Sequence, residues 1–403
     1  MIESVLIFSR ATPHHHIGGM ESLAWNLAVE LARHVPSVRL VTTEIPCRSG
    51  PFAADGVDVV PLAGTRPGRY STAWWKRSRD YWTSLPVPPS IVLSVSAGAY
   101  SVVRARSRHR STPFVLQAHG TAMMDIVSKL RSRNLRALAT IPKNGAGLLR
   151  DLVRYREFDR IVAVGARVAE ALVAPPQRWS VPTDRITLIP NGVRLATHQF
   201  DPGSRQSIRH ELGVDDQAIV VGCVGRLHVQ KRLDRALHAA AVLRNWGEGQ
   251  RFRFLLVGGG PDEARLRALA HDLGLGEMVT FVGQVPPDRV ASYYAAADVA
   301  LLTTAWLEVG LPLTILEALA CGLPCVVPTG YTLPGGPRNS CAPESVLYQV
   351  DPRDPARLAE TLLTVPRPSD ARPSLLPAEL TLDHCARRYL ELFAQLRRGY
   401  RVQ

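Results

Sequence analysis

The sequence predicts an α/β protein made of two consecutive doubly wound parallel-sheet domains. Short apolar runs without period-2 alternation recur along the chain, the pattern of strands buried on both faces. Stretches with helical spacing separate them, which implies parallel strands joined by crossover helices. The alternation stops once, in turn chemistry and polar chain near residues 190–203, and then restarts. A chain of 403 residues is long enough for two such domains, each with its own core.

Taken in order, Ser4–Phe8 reads as the first strand, with a His- and Gly-rich turn behind it. Leu23, Ala24, Leu27, Ala28 and Leu31 then recur on one helical face. Further strands are expected at residues 38–41, 57–61, 91–95, 114–117, 160–164 and 186–189. After the break come a strand at 218–224 and a helix whose apolar face holds Leu233, Ala236, Leu237, Ala240 and Ala241. Strand and helix pairs follow at 252–257 with 262–273, 278–282 with 288–295, and 299–302 with 313–320. Residues 325–327 read as the last strand, before a Pro- and Gly-rich loop. The expected boundaries are 1–195, 196–380, and a terminal segment 381–403 whose helix, about 382–396, could cross back to the first domain. Two such sheets would enclose a ligand cleft between the carboxyl ends of their strands.

Composition narrows the classes. Hydrophobic residues at 46% and charged residues at 21% exclude a disordered or collagen-like chain. Six cysteines without regular spacing make no disulfide framework, no signal-peptide pattern opens the chain, and no apolar run reaches spanning length. A cytoplasmic protein is the expectation. The net charge of +13 lies wholly in residues 1–195, which hold 26 Lys plus Arg against 13 Asp plus Glu; the remainder holds 22 of each. Only four basic residues are lysines, and Lys231 is the one in the second half.

Four stretches carry chemistry. Gly18 and Gly19 sit between the first strand and first helix, where glycines let an anion approach a helix N-terminus; a plain tight turn is the bland reading. The adjacent His14, His15 and His16 point in different directions and have no carboxylate or cysteine cluster beside them, which argues against a metal. Past the 218–224 strand, Arg226 and Lys231 place a guanidinium and an ammonium five residues apart at a strand's carboxyl end. A diphosphate would suit both, a solvated basic loop being the alternative. Glu317 falls early in an apolar helix behind Gly310, Leu311, Pro312 and Leu313. It would need a partner if buried, such as ribose hydroxyls, or it complements the helix dipole. Gly258, Gly259 and Gly260 lack dinucleotide-fingerprint spacing and read as a turn into a helix.

Together these residues resemble the retaining GT-B glycosyltransferases that include bacterial phosphatidylinositol mannosyltransferases and sucrose-phosphate synthases. The resemblance runs through Gly18 and Gly19, Gln117 to Gly120, Ile189 to Val193, Gly225 and Arg226 with Gln230 and Lys231, Val257 to Pro261, Phe281 to Gly283, Ala297 and Asp298, and Gly310 to Pro312 leading to Glu317. It implies two Rossmann-like domains: residues 1–195 hold the acceptor and 196–380 hold a nucleotide-diphosphate sugar such as a UDP-sugar. Carried over, Arg226 and Lys231 bind the donor diphosphate, Glu317 the ribose, and Gly18 and Gly19 approach the phosphates. His119 lies near the transferring sugar, and Gly310, Leu311, Pro312 and Leu313 contact sugar and phosphate. No metal and no cofactor are implied.

One departure stands out. The family's paired glutamates are seven residues apart, which puts the first at Val309, whereas the carboxylate present is Glu308. A sugar-nucleotide-binding relative without catalysis is therefore a second reading. A nucleotide-dependent oxidoreductase, resting on Gly258 to Gly260 alone, is a third. The basic first half is expected to attract an anionic acceptor, lipid-linked or small and soluble, or an anionic membrane surface, through residues 76–79, 104–110 and 129–136. Trp74, Trp75 and Trp82 beside the first cluster would suit an interfacial contact. Nucleic acid is not expected, since no reading motif accompanies the charge.

Overall fold

The computed structural model describes residues 2–15, 20–132, 141–304, 311–334 and 345–401. The chain divides into two compact units, one formed by residues 1–192 with 382–403 and the other by 193–381.

The first unit is built on an eight-stranded sheet, β1 (Ser4–Phe8), β2 (Ser37–Thr43), β3 (Phe52–Ala54), β4 (Val57–Leu62), β5 (Ile91–Val95), β6 (Phe114–Ala118), β7 (Arg160–Ala163) and β8 (Ile186–Leu188), in the order β3-β4-β2-β1-β5-β6-β7-β8. Every pairing is parallel except β3 with β4. The all-buried runs of β5 and β6 reflect cover on both faces. The β3–β4 hairpin, not expected from apolar runs, turns on Asp55 and Gly56 at φ 50° and 80°, the positive pair a two-residue type I′ turn demands.

Helices α1 (Met20–Leu31), α2 (Thr72–Ser84), α3 (Ala122–Ser132), α4 (Ile141–Arg154) and α5 (Ala166–Val173) belong to this unit. The terminal helix, which is α12 (Leu382–Arg401) in chain order, joins the same core: Ala386, Tyr389 and Phe393 are fully buried with Trp25 and Leu31. The tryptophans of α2 correct the expectation of an interfacial contact. Trp74 and Trp82 are fully buried, and their indole N–H groups donate to the carbonyls of Gly98 at 3.1 Å and Ala105 at 2.9 Å. Trp75 stacks on Tyr70 and Tyr100. Helical spacing had aimed these rings at the core, where an indole keeps a hydrogen-bond partner. Of the third basic cluster, residues 133–136 lie outside the described residues.

The second unit is a six-stranded all-parallel sheet, β9 (Ile219–Val224), β10 (Phe252–Val257), β11 (Val279–Gly283), β12 (Val299–Leu301), β13 (Cys325–Pro328) and β14 (Leu347–Val350), in the order β11-β10-β9-β12-β13-β14. Strand β14 lies past the run read as the last strand. Helices α6 (Pro202–Glu211), α7 (Asp234–Asn245), α8 (Glu263–Asp272), α9 (Val290–Ala296), α10 (Leu313–Ala320) and α11 (Pro355–Thr364) enclose two cores, one on each face. Between α9 and β12, buried Asp298 receives Arg205 at 2.8 Å, Arg209 at 3.2 Å and Arg372 at 3.0 Å. Arg209 also donates to the Ala296 carbonyl and Arg372 to that of Ala297, so these guanidinia close the last turn of α9. Burial lowers the Arg372 pKa to about 10, with Arg205 adding repulsion and Asp298 opposing both.

Candidate active site

In the second unit the loop between β9 and α7 carries Arg226 and Lys231. Its backbone is clamped against the glycines after β10: Gly225 N–H donates to Val257 at 2.9 Å, Leu227 N–H to Gly259 at 3.0 Å, and Asp262 N–H returns to Leu227 at 3.1 Å. A Cβ on Gly258 would stand 2.1 Å from the Gly225 carbonyl oxygen, and one on Gly260 would stand 2.2 Å from that of Leu227. These glycines therefore serve the close approach of two backbones in addition to the turn into a helix read from sequence, which leads into α8 at Glu263. Farther along, Thr303 and Thr304 at the end of β12 donate their hydroxyls to the carbonyls of Lys231 and Gln230, each at 3.0 Å.

With backbone and buried Leu227 doing the anchoring, Arg226 points outward. No hydrogen bond or ion pair among the described residues occupies its guanidinium. The loop is positive enough to act on its own histidine: His228 is lowered first by burial and then by the charges of Arg226 and Lys231, against an opposing pull from Asp262.

The start of α10 adjoins this loop. A methyl on Gly225 would touch Thr314 Cγ2 at 3.9 Å. Leu311 and Pro312 lead into α10, Pro312 occupies its N-cap, and no side chain caps the helix there, so the first amides, Leu313 among them, offer donors to an anion. Glu317 lies on the same face as Thr314, one turn on. Its Oε2 is 3.1 Å from the Tyr294 hydroxyl, which is also 2.9 Å from the Thr314 carbonyl, and its Oε1 is 3.8 Å from His198 Nε2. Burial raises the Glu317 pKa, while His198 and the Tyr294 hydrogen bond pull it down.

His119 belongs to the first unit, one residue past β6. The Gln117 amide nitrogen donates to Tyr389 Oη at 2.9 Å, so the Gln117 oxygen is left to accept from His119 Nε2 at 3.0 Å. His119 Nδ1 then holds a lone pair. Burial, with a smaller push from Arg10, lowers its pKa to about 4, so the ring is neutral at physiological pH. Of the other sequence-predicted residues, Gly18, Gly19, Glu308 and Gly310 lie outside the described residues. So does His16.

His15 has a structural place. Its Nδ1 accepts from Thr12 N–H at 3.0 Å and its Nε2 faces Thr43 Oγ1 at 3.1 Å. Among the described residues, the histidine–carboxylate cluster with ligand atoms within 4.8 Å of one another is Glu30, His34 and Asp383, at the α1–α12 contact.

Sequence reasoning missed Tyr294, His198, Thr303 and Thr304. The two threonines had a signal, as a polar pair directly after a strand. His198 and Tyr294 had none, because each meets Glu317 only through the fold.

Two α/β units with parallel sheets, one bearing a cationic loop and a held carboxylate at its strand ends, define a class of fold in which ligands sit at the carboxyl ends of the strands. Residues 17–197 match Glycosyltransferase Family 4 and residues 204–367 match Glycosyl transferases group 1. A D-inositol 3-phosphate glycosyltransferase of Rhodococcus opacus is 32% identical over 77% of this chain and 70% of its own length. One from Acidothermus cellulolyticus is 34% identical over 64% of this chain, and the match spans 55% of that relative's length. The chain belongs to the group 1 and family 4 glycosyltransferases. Sucrose-phosphate synthase from Thermosynechococcus elongatus shares the fold, at TM-score 0.76 and 20% identity, covering 98% of this chain and 99% of that one. Anabaena HepE in complex with UDP shares it at TM-score 0.68 and 16% identity, covering 98% and 100%. The GT-B fold is common to these.

Proposed function

We propose that this chain transfers a sugar from a nucleoside-diphosphate sugar to an acceptor hydroxyl, with retention of anomeric configuration and without a metal. The observation that carries the reading is the Arg226 guanidinium, unpartnered among the described residues, on a backbone-clamped loop with Lys231, beside the start of α10. The chemistry of such a transfer develops negative charge on the leaving diphosphate. Preorganised cations and helix amides stabilise that charge without reorganising. Glu317, oriented by Tyr294, accepts from the ribose hydroxyls. His119, neutral and with a lone pair on Nδ1, accepts from a hydroxyl of the transferring sugar.

The acceptor is read as anionic. The first unit holds 30 Lys plus Arg against 15 Asp plus Glu, and the second holds 18 against 20. An inositol phosphate, the acceptor named for the relatives, has the required charge and hydroxyls. A lipid-linked acceptor would add contact with an anionic membrane, for which exposed Leu130, Leu149 and Val153 on α3 and α4 supply an apolar face.

Calorimetry against UDP-, GDP- and dTDP-sugars identifies the donor, and product formation with inositol phosphate, followed by NMR of the new anomeric centre, tests acceptor and stereochemistry. Retained turnover in Lys231→Ala, or loss of product formation on EDTA treatment, would count against the reading. Glu308→Gln is expected to impair turnover while leaving affinity for the bare nucleoside diphosphate nearly unchanged. Co-sedimentation with anionic but not neutral liposomes, weakening with salt, would show the membrane contact that a lipid-linked acceptor requires.

A further inference from the structure

At the opposite end of the first sheet lies a cavity of about 470 Å³, lined by Val103, Arg104, Arg106, Arg156, Glu157, Asp159 and Arg185. All these residues precede β6, β7 or β8, whereas His119 follows β6. A strand of five residues, about 13 Å of chain, therefore separates the cavity from the strand-end loop.

The cavity's two carboxylates are already neutralised. Asp159 accepts from Arg106 Nη2 at 2.9 Å through each oxygen, from Phe114 N–H at 2.7 Å and from Tyr400 Oη at 2.7 Å. Arg106 also donates to the Glu157 carbonyl at 2.8 Å and pairs with Tyr400 Oη. The Glu157 carboxylate pairs with Arg154 at 2.6 Å. What is left over is positive. Arg185 donates only through Nη1, to the carbonyls of Arg156 and Phe158, and no hydrogen bond or ion pair among the described residues holds Arg104 or Arg156. Three guanidinia around one recess, backed by a wall fixed by Asp159 and Tyr400, form a concave site of excess charge. Fork-shaped guanidinia suit tetrahedral oxyanions.

We propose that this cavity is a second anion site, separate from the proposed donor site and from His119, that takes a compact phosphate-type polyanion. Such an anion would bridge Arg104, Arg156 and Arg185, which come from three segments of the unit.

The same chemistry is offered by a soluble phosphate compound and by a phosphomonoester lipid headgroup, and the test separates them. Titrations use the full chain carrying Arg226→Ala and Lys231→Ala, so that the proposed donor site does not report. Inorganic pyrophosphate at constant ionic strength is one arm, and phosphatidylcholine vesicles containing phosphatidic acid are the other. Adding Arg104→Gln and Arg156→Gln is expected to weaken binding about tenfold for each guanidinium, with an unchanged thermal midpoint. Arg185→Gln is a third, independent variant. Arginine-dependent binding of pyrophosphate assigns a soluble ligand, and arginine-dependent binding of vesicles alone assigns a headgroup. If neither probe binds, or if binding is indifferent to all three arginines, the site is overturned. That outcome would leave the donor side of the sugar-transfer reading untouched, because Arg226, Lys231, Glu317 and His119 are not among the three arginines whose replacement decides it.

Discussion

The loop after β6 in the first unit and the loop after β9 in the second stand at equivalent places, each directly beyond the carboxyl end of an inner parallel strand. They are held by different means. His119 is set by side chains, through Gln117 to Tyr389 on the terminal helix, and the whole chain of groups is uncharged. The β9 loop is set by its backbone, against Gly258 to Gly260 on one side and the hydroxyls of Thr303 and Thr304 on the other. Fixing a loop by its backbone leaves the Arg226 guanidinium, which no described residue holds, available to a ligand. Fixing a histidine by its ring nitrogen sets its tautomer, and burial removes it from acid–base chemistry near neutral pH.

The frames of the two units differ as well, and removing buried Asp298 and half-buried Asp159 should show the largest effect. Asp298→Ala strands three guanidinia, two of them almost fully buried, and is expected to cost about 3–5 kcal/mol in urea unfolding. Asp159→Ala removes a pair whose Arg106 side chain is 32% exposed and should cost less, about 1.5–3 kcal/mol. Equal losses would remove the distinction. In the β9 loop, Lys231→Ala should lower turnover about 10²–10³-fold. A comparable loss in unfolding free energy would show that the lysine holds the loop instead of serving a ligand.

Gly260→Ala tests the backbone clamp without touching a charge. The added methyl must displace the Leu227 carbonyl, at a cost of about 1–3 kcal/mol, and affinity for nucleoside diphosphate should fall alongside stability. Tyr389→Phe is the counterpart in the first unit: it deletes the acceptor for Gln117 and should cost about 0.5–1.5 kcal/mol, with turnover falling through misplacement of His119.

The remaining effect is a slope. His119 titrates near 4 in the folded chain against 6.5 ordinarily, so below pH 6.5 the unfolded state takes up the proton first. Its contribution therefore lowers stability as pH falls from about 6.5 toward 4. His119→Asn should flatten that part of the stability curve, measured as urea midpoints at pH 7 and pH 5. An unchanged slope would mean that the ring is solvated and charged like an ordinary histidine.

Much of this molecule is written locally. The apolar runs of β1, β5, β6, β9 and β10 mark strands covered on both faces, because strand periodicity and burial act within a few residues. The cationic spacing of Arg226 and Lys231 after β9 was visible for the same reason, and the Asp55–Gly56 turn was available as a signal for β3 although the apolar pattern passed over it. The tertiary structure alone decided the rest. It turned Trp74 and Trp82 inward, made the glycines after β10 a bed for another loop, put Tyr294 and His198 beside Glu317, and brought Tyr389 from the far end of the chain to the Gln117 that holds His119. Those arrangements depend on contacts between residues 20 to 270 positions apart. Local propensity carries no record of such distances, because the entropy of closing the intervening chain is repaid only when the cores pack.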